Sequence, residues 1–290
     1  MAKHTTIELN DDQPFNLDLT LSCGQAPRWY KGNGWWYGIV RDSVLKIKQD
    51  ENKILFIGSD EEFIRDYFCL DFDLDPVYSK LKQDPYAKDA CDFGKGLRLV
   101  NQDPWECMIF QMTVNRIRTK SRCDRITRIS DKIGKKIIFE GKEYSIFPRP
   151  KEITDAGLSA LKSCNIGYFA DNILFAAEKV GDNPDWEEKI KKMSYQNAVF
   201  YLTSFKGIKY RVAEWILLFS FQKYEAFPVD AHIREIFIKN YLKGHYFGKL
   251  NDEKVDDAIR DIARVNFGQY AGYALEYLFN YEIIQNSGNR

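Results

Sequence analysis

The residues between Leu202 and Asp230 have types and spacing that could do chemistry together. Gly207 sits in Phe205-Lys206-Gly207-Ile208, after an apolar helix end and before a second apolar helix expected from about Tyr210 to Phe221. Glycine supplies the positive φ that such a turn needs, and two short helices joined this way present unpaired backbone N–H groups suited to a phosphate anion. The seam of an ordinary helical bundle would look much the same. Asp230 follows Pro228-Val229 and precedes the helical stretch AHIREIFIKNYL, where its simplest role is an N-cap. A carboxylate there, across from a hairpin that grips DNA, could also act on a flipped-out nucleotide by activating water or offsetting charge on an oxocarbenium-like sugar.

Such residues need a scaffold, and the composition supports one. The chain has 290 residues, 44% apolar and 15% aromatic, enough for one large or two medium domains. Lys+Arg and Asp+Glu are equal at 42 each, so any attraction for a polyanion must be local. The run from Arg116 to Lys151 holds twelve basic against four acidic residues, a net of +8. It fits either a solvated helix face or part of a nucleic-acid surface. The six cysteines are scattered without a C-x-x-C pair, which suits reduced core thiols rather than disulfides or zinc. The start, MAKHTTIELNDDQPF, has no apolar signal core, and no stretch reaches the roughly eighteen apolar residues of a membrane span. A soluble intracellular protein without a membrane partner is expected, cytoplasmic and nucleoid-associated if the source is prokaryotic.

From Phe15 to about Gly58 the runs FNLDLTL, RWY, GWWYGIV, VLKIKQ and KILFIG, separated by KGNG, RDS and DEN turns, predict an antiparallel sheet. SDEEFIRDYFCL predicts a helix capped by Ser59, and DPVYSKLKQDPYAKDACDF continues in helical spacing. Beyond Gly94-Lys95-Gly96 nearly everything reads as helix, starting with Asp103-Pro104 and interrupted by a short β stretch, KKIIFEGKEYSIF. The fold class is therefore α+β, with an N-terminal antiparallel β-rich domain (1–97) followed by a larger all-α domain (98–290), the boundary falling near residues 92 to 100.

The hairpin and the aspartate taken together resemble the helix-hairpin-helix DNA glycosylase superfamily: a G-I-x-x-[KR]-V-A run, an apolar helix, then P-V-D-x-H about twenty residues on. Further segments are similar to the 8-oxoguanine DNA glycosylase branch. These are Leu19-Thr20-Leu21-Ser22-Cys23-Gly24-Gln25-Ala26-Pro27-Arg28-Trp29, the run from Leu97 to Cys107, and Ala271-Gly272-Tyr273-Ala274 through Leu278-Phe279. The resemblance implies a helix-hairpin-helix catalytic domain, base-excision activity on double-stranded DNA containing a damaged base, and a monomer. It implies Asp230 as the catalytic carboxylate and Gly24 as the backbone carbonyl that senses the extra N7 hydrogen of 8-oxoguanine, where normal guanine has an acceptor. Phe279 falls where the family stacks an aromatic on the extruded base, and Tyr168 where a residue wedges into the stack opposite the lesion. Asn115, Arg116 and Arg118 match the loop that fills the vacated space, His232 a phosphate contact, and Gly207 with Ile208 the hairpin that holds the backbone. Some superfamily members carry a C-terminal four-cysteine iron-sulfur cluster. With no cysteine after Cys164 no such cofactor is expected, although a monovalent cation at the hairpin would be compatible.

Two positions depart from the family pattern. Arg211 stands where the family has a lysine that attacks C1′ and forms a Schiff base, and a guanidinium cannot serve as an amine nucleophile. Lys209 lies two residues earlier, on a different side of the helix start. Leu275 occupies the place of a glutamine that reads the Watson-Crick edge, which would leave polar edges of the base unpaired at about 1 to 3 kcal/mol each. Trp215 and Phe219, one and two turns beyond Arg211, would make the pocket more aromatic. The sequence thus predicts a purine-excising glycosylase with doubtful strand-cleaving activity. An enzyme for alkylated purines and a lesion-binding protein without chemistry remain as alternatives.

Overall fold

The computed structural model describes residues 4–10, 12–113, 119–242 and 252–288. Five strands, β1 (Thr5–Glu8), β2 (Trp29–Gly32), β3 (Trp35–Val40), β4 (Ser43–Asp50) and β5 (Lys53–Ile57), form an antiparallel sheet in the order β1-β5-β4-β3-β2. Period-two patterning makes it: Trp36 and Val40 of β3, Leu45 and Ile47 of β4, and Ile54 and Phe56 of β5 are all buried in one cluster. Asn33 and Gly34 take the positive-φ positions between β2 and β3 (φ 51° and 76°), the Asn-Gly pattern of a two-residue hairpin.

Two local expectations are corrected. FNLDLTL is not a strand: Leu17–Ser22 is a helix, α1, capped by Asn16, whose side chain accepts from the Leu19 N–H. Its alternating leucines are compatible with either period, because Leu17 and Leu21 pack under the sheet while Leu19 packs on the opposite, helical cluster. A helix between two hydrophobic layers loses its one-sided signature. In the next helix, α2 (Glu61–Tyr67), the cap is Asp60 rather than Ser59, with its carboxylate accepting from Phe63 N at 2.8 Å.

Helices then dominate: α3 (Asp75–Leu81), α4 (Pro85–Phe93), α5 (Pro104–Met112) with Asp103 as its cap, and α6 (Thr119–Ile133). A hairpin of β6 (Lys136–Phe139) and β7 (Lys142–Ser145) interrupts them. The remainder comprises α7 (Pro150–Ser163), α8 (Phe169–Gly181), α9 (Trp186–Lys192), α10 (Tyr195–Thr203), α11 (Tyr210–Ser220), α12 (Ala231–Asn240), α13 (Asp252–Phe267) and α14 (Ala271–Gly288). Two apolar cores hold them. One gathers α5 to α10; the other gathers α3, α4 and α12 to α14.

Helix α11 belongs to both. Ala213, Ile216 and Leu217 face the first core, and Leu218 and Phe219 the second. This is why WILLF is apolar without periodicity: the helix is buried on both sides and reaches the surface mainly at its N-terminal turn, where Lys209, Tyr210 and Arg211 are exposed. Against it α14 comes unusually close. A Cβ on Gly272 would lie 2.2 Å from Leu218 Cδ1 and 3.1 Å from the carbonyl oxygens of Tyr224 and Ala226, so a side chain there would have to move the Leu218 tip and press on two backbone oxygens. No helix among the described residues is long and apolar enough to cross a membrane.

Candidate active site

The hairpin comes first. Helix α10 ends at Thr203, the chain turns with Ile208 N donating to Phe205 O at 3.0 Å, and α11 starts at Tyr210. Phe205 and Ile208 are buried beneath the turn, which fixes it to the body, while Gly207 is exposed at φ +88°. A Cβ there would approach Asn172 Nδ2 to 2.5 Å, so both conformation and space require glycine. Lys179 braces the turn from α8, donating to Ser204 O at 3.0 Å and lying 4.4 Å over the Phe205 ring. At the start of α11 the N-cap Lys209 makes no side-chain capping bond, so the first-turn N–H groups have no side-chain cap. Lys209 and Arg211 are exposed, and neither side chain has an ion pair or hydrogen bond among the described residues.

Asp230 closes the α11 to α12 connection. Its Oδ1 accepts from His232 N at 3.0 Å and Ile233 N at 2.9 Å, a tight N-cap, while Oδ2 has no partner among the described residues. The carboxylate thus sits at the positive end of α12, where a negative charge is favoured. Pro228 and Val229 are buried and hold it in place, leaving it partly exposed. One turn away the His232 ring meets Phe279 edge-on at 5.9 Å between centroids. Phe279 projects from α14 into the same cluster as Leu275, which is fully buried, and as Trp215 and Phe219 of α11. Those two rings stack at 5.2 Å with planes 15° apart.

Gly24, at φ +96°, terminates α1. The turn is fastened by its neighbour Gln25, whose amide donates to Thr20 O (2.9 Å) and Arg98 O (2.8 Å) and accepts from Val100 N (2.9 Å). Gln102 Nε2 in turn donates to Gln25 O at 2.7 Å. The two separated segments singled out in the sequence, around Gly24 and from Leu97 onward, are therefore one structural unit. Gln25 was not anticipated as its link; a buried amide cannot be told from a surface one by type alone.

The second residue missed is Glu276, between Leu275 and Tyr277 on α14. It is 3% exposed and packs against Cys23, next to Gly24. Burial pushes its carboxyl up to about 8; the Cys23 thiol opposes this and the nearby negative charge of Asp230 adds to it. The signal was present as a single acid within the apolar run AGYALEYLF.

The structure therefore joins Asp230, His232 and Phe279 in succession and packs Leu275, Phe279, Trp215 and Phe219 on one apolar core, with Gly24 near Glu276 through Cys23. Tyr168 lies apart from this cluster and near the hairpin: it precedes α8 by one residue, is 60% exposed, and lies one turn before Asn172, which backs Gly207. Two members of the basic run contact the residues that flank it. Arg128 donates to Asn165 O at 3.2 Å, and Arg125 lies 4.9 Å over the Phe169 ring. Asn115, Arg116 and Arg118 lie outside the described residues.

A sheet-backed helical body with a glycine hairpin between two helices, followed by a helix-capping aspartate, is the architecture of a DNA N-glycosylase of the helix-hairpin-helix class. Residues 7–108 match the family of the 8-oxoguanine DNA glycosylase N-terminal domain. A probable N-glycosylase/DNA lyase of Methanothermobacter thermautotrophicus is 30% identical, over 92% of this chain and 93% of that protein. An N-glycosylase/DNA lyase of Arabidopsis thaliana is 26% identical over 92% of this chain and 77% of its own length. Among solved structures, the Clostridium acetobutylicum 8-oxoguanine glycosylase/lyase bound to double-stranded DNA with cytosine opposite 8-oxoguanine superposes with a TM-score of 0.85 at 28% identity, covering 97% of this chain and 98% of that one. The chain belongs to the 8-oxoguanine DNA glycosylase family.

Proposed function

We propose that this protein flips 8-oxoguanine out of double-stranded DNA and cleaves its glycosidic bond with Asp230 as the essential carboxylate, without efficient strand cleavage. The observation that carries the reading is the placement of Asp230: one carboxylate oxygen is held by the His232 and Ile233 N–H groups at the start of α12, the other has no partner among the described residues, and the ring of His232 meets Phe279. An anion fixed in that way costs no reorganisation when positive charge develops on the sugar, the requirement for electrostatic stabilisation of an oxocarbenium-like state. In this scheme the hairpin N–H groups around Gly207 and Ile208 hold a phosphate, Tyr168 enters the stack, and Phe279 with Trp215 covers the faces of the extruded base.

Arg211 limits the chemistry. Its guanidinium stays protonated and cannot form a Schiff base. Lys209 carries an amine, but positions two apart on a helix do not face the same way. Single-turnover base release from an 8-oxoguanine:cytosine duplex tests the whole scheme. Asp230→Asn is expected to slow release by about 10²-fold or more while leaving duplex affinity nearly intact. Tight binding with no release by the wild type would sink the enzyme reading and leave a lesion-binding protein. The apolar Leu275 favours one second reading, excision of alkylated purines whose edges offer fewer hydrogen bonds. The same assay with a 3-methyladenine duplex decides between them.

A further inference from the structure

Four buried side-chain atoms among the described residues lack a hydrogen-bond partner: Ser220 Oγ, Tyr273 Oη, Glu276 Oε2 and Asn280 Nδ2. Two of them, on Glu276 and Asn280, are one helical turn apart on α14 and so share a face. They are the costliest kind of group to leave unmade, an acid and an amide that are 3% and 5% exposed. The Cys23 thiol meets both Thr20 O at 3.3 Å and the acid, yet Glu276 Oε2 is left without a partner. The stripe next to them on the same helix is Leu275 with Phe279, the base-facing pair of the proposed site. A buried polar group kept unpaired beside a ligand pocket points to a partner that arrives with the ligand.

We propose that Glu276 is a specificity-determining residue whose carboxyl hydrogen-bonds the polar edge of the extruded purine, a role that Leu275 cannot perform. The inference rests on the reading that a damaged purine enters this pocket. Its chemistry suits an uncharged acid, which offers one donor and one acceptor side by side. An oxidised purine carries the complement, a carbonyl oxygen adjacent to a ring N–H. Location agrees with this. Glu276 touches Cys23, whose neighbour Gly24 ends the turn pinned by Gln25, and it is near enough to Asp230 to feel its charge. Burial favours the neutral form of this acid, and the nearby negative charge of Asp230 adds to that. Asn280 Nδ2 extends the polar stripe by one more donor.

Equilibrium binding separates a base contact from a structural one. The ligands are a duplex bearing 8-oxoguanine on a 2′-fluoroarabino sugar, which resists cleavage, the same duplex with a tetrahydrofuran abasic site, and undamaged duplex. Glu276→Ala is expected to weaken the lesion duplex by about tenfold or more while changing abasic-site affinity less than about twofold, and Glu276→Gln to retain most of the lesion affinity, since the amide keeps a donor and an acceptor. Equal losses on lesion and abasic duplexes, or no loss on either, overturn the proposal, as does a Gln variant that binds lesion no better than the Ala variant. If the wild type itself shows no preference for the lesion over undamaged duplex, the functional reading fails first, and that outcome is read from the wild type alone.

Discussion

Replacing Gln25 by alanine tests whether the site is built from two distant segments locked together. The Gln25 amide satisfies Val100 N, Thr20 O and Arg98 O, and all three residues are 1% exposed or less. After truncation the Val100 N–H has no other partner within reach and no route to water, which by itself costs about 1 to 3 kcal/mol. The two carbonyls lose a donor each but keep a second lone pair, and Thr20 O retains the Cys23 thiol, so they add less. A small cavity adds to this. The expected loss is about 3 kcal/mol, a large fraction of the roughly 5 to 15 kcal/mol that holds a domain together.

Urea unfolding followed by tryptophan fluorescence should show the midpoint falling at nearly constant slope. Function should fall differently from stability. At temperatures where the variant is folded, the Gly24 turn loses its anchor, so preference for 8-oxoguanine over guanine drops while affinity for the abasic duplex is kept. Gln25→Glu supplies a control. One oxygen can still accept from Val100, but the other then faces two carbonyl oxygens unless it is protonated, so this variant should be weaker at pH 8 than at pH 6. A Gln25→Ala variant within about 0.5 kcal/mol of wild type, with unchanged base preference, would refute the reasoning.

The site yields further expectations. Gly207→Ala, strained at φ +88° and pressed against Asn172, should weaken lesion and undamaged duplexes alike while leaving the salt dependence of binding unchanged, since no charge is removed; a loss confined to the lesion duplex would contradict that. Glu276 gives a pH signature. Its folded-state value, raised to about 8 by burial, against Cys23 and with Asp230 nearby, lies above the ordinary carboxylate range, so between the two the folded state keeps a proton that the unfolded state has released. Stability must therefore fall as pH rises toward 8, by about 2 kcal/mol between pH 6 and pH 8.5, and Glu276→Gln should remove that slope in urea titrations. Borohydride trapping on an 8-oxoguanine duplex should give no covalent adduct with the wild type and an adduct with Arg211→Lys; an adduct in the wild type that disappears with Lys209→Ala would assign the nucleophile to Lys209 instead.

Much of the frame was legible because its signals are local. Gly207 between two helices, Asp230 after a proline and before AHIREIF, and Asp103-Pro104 at a helix start each carry their meaning within a few residues, and the structure puts caps and turn where they indicate. What escaped depends on partners far along the chain. FNLDLTL alternates like a strand because α1 is buried on both sides, which the sequence cannot reveal without the second layer. The basic run was legible as charge but not as structure: Arg125 lies over the Phe169 ring and Arg128 donates to Asn165 O, on either side of Tyr168, a use that net charge cannot distinguish from phosphate contact. Gln25 and Glu276 have the same problem. Their types are ordinary on a surface, and only burial makes them significant.

Helix α14 shows how packing and chemistry are coupled in this site. Gly272 lets it approach α11 so closely that Tyr224 O accepts from Gly272 N at 2.7 Å. That crossing sets where residues one and two turns further along must fall, and Glu276, Phe279 and Asn280 follow at those distances. A larger residue at 272 would push α14 away from Leu218 and carry acid and aromatic with it, so Gly272→Ala should lower both stability and base excision although it touches no part of the pocket. The direction of the effect separates this from a general loss of packing. Moving Phe279 away from His232 would, on the proposed reading, remove the face that covers the base, whereas Asp230, fixed to α12 by its own backbone bonds, stays in place. Substrate affinity should therefore suffer more than the rate of the bound complex. A variant in which affinity holds while the single-turnover rate falls would show that α14 positions Asp230 after all.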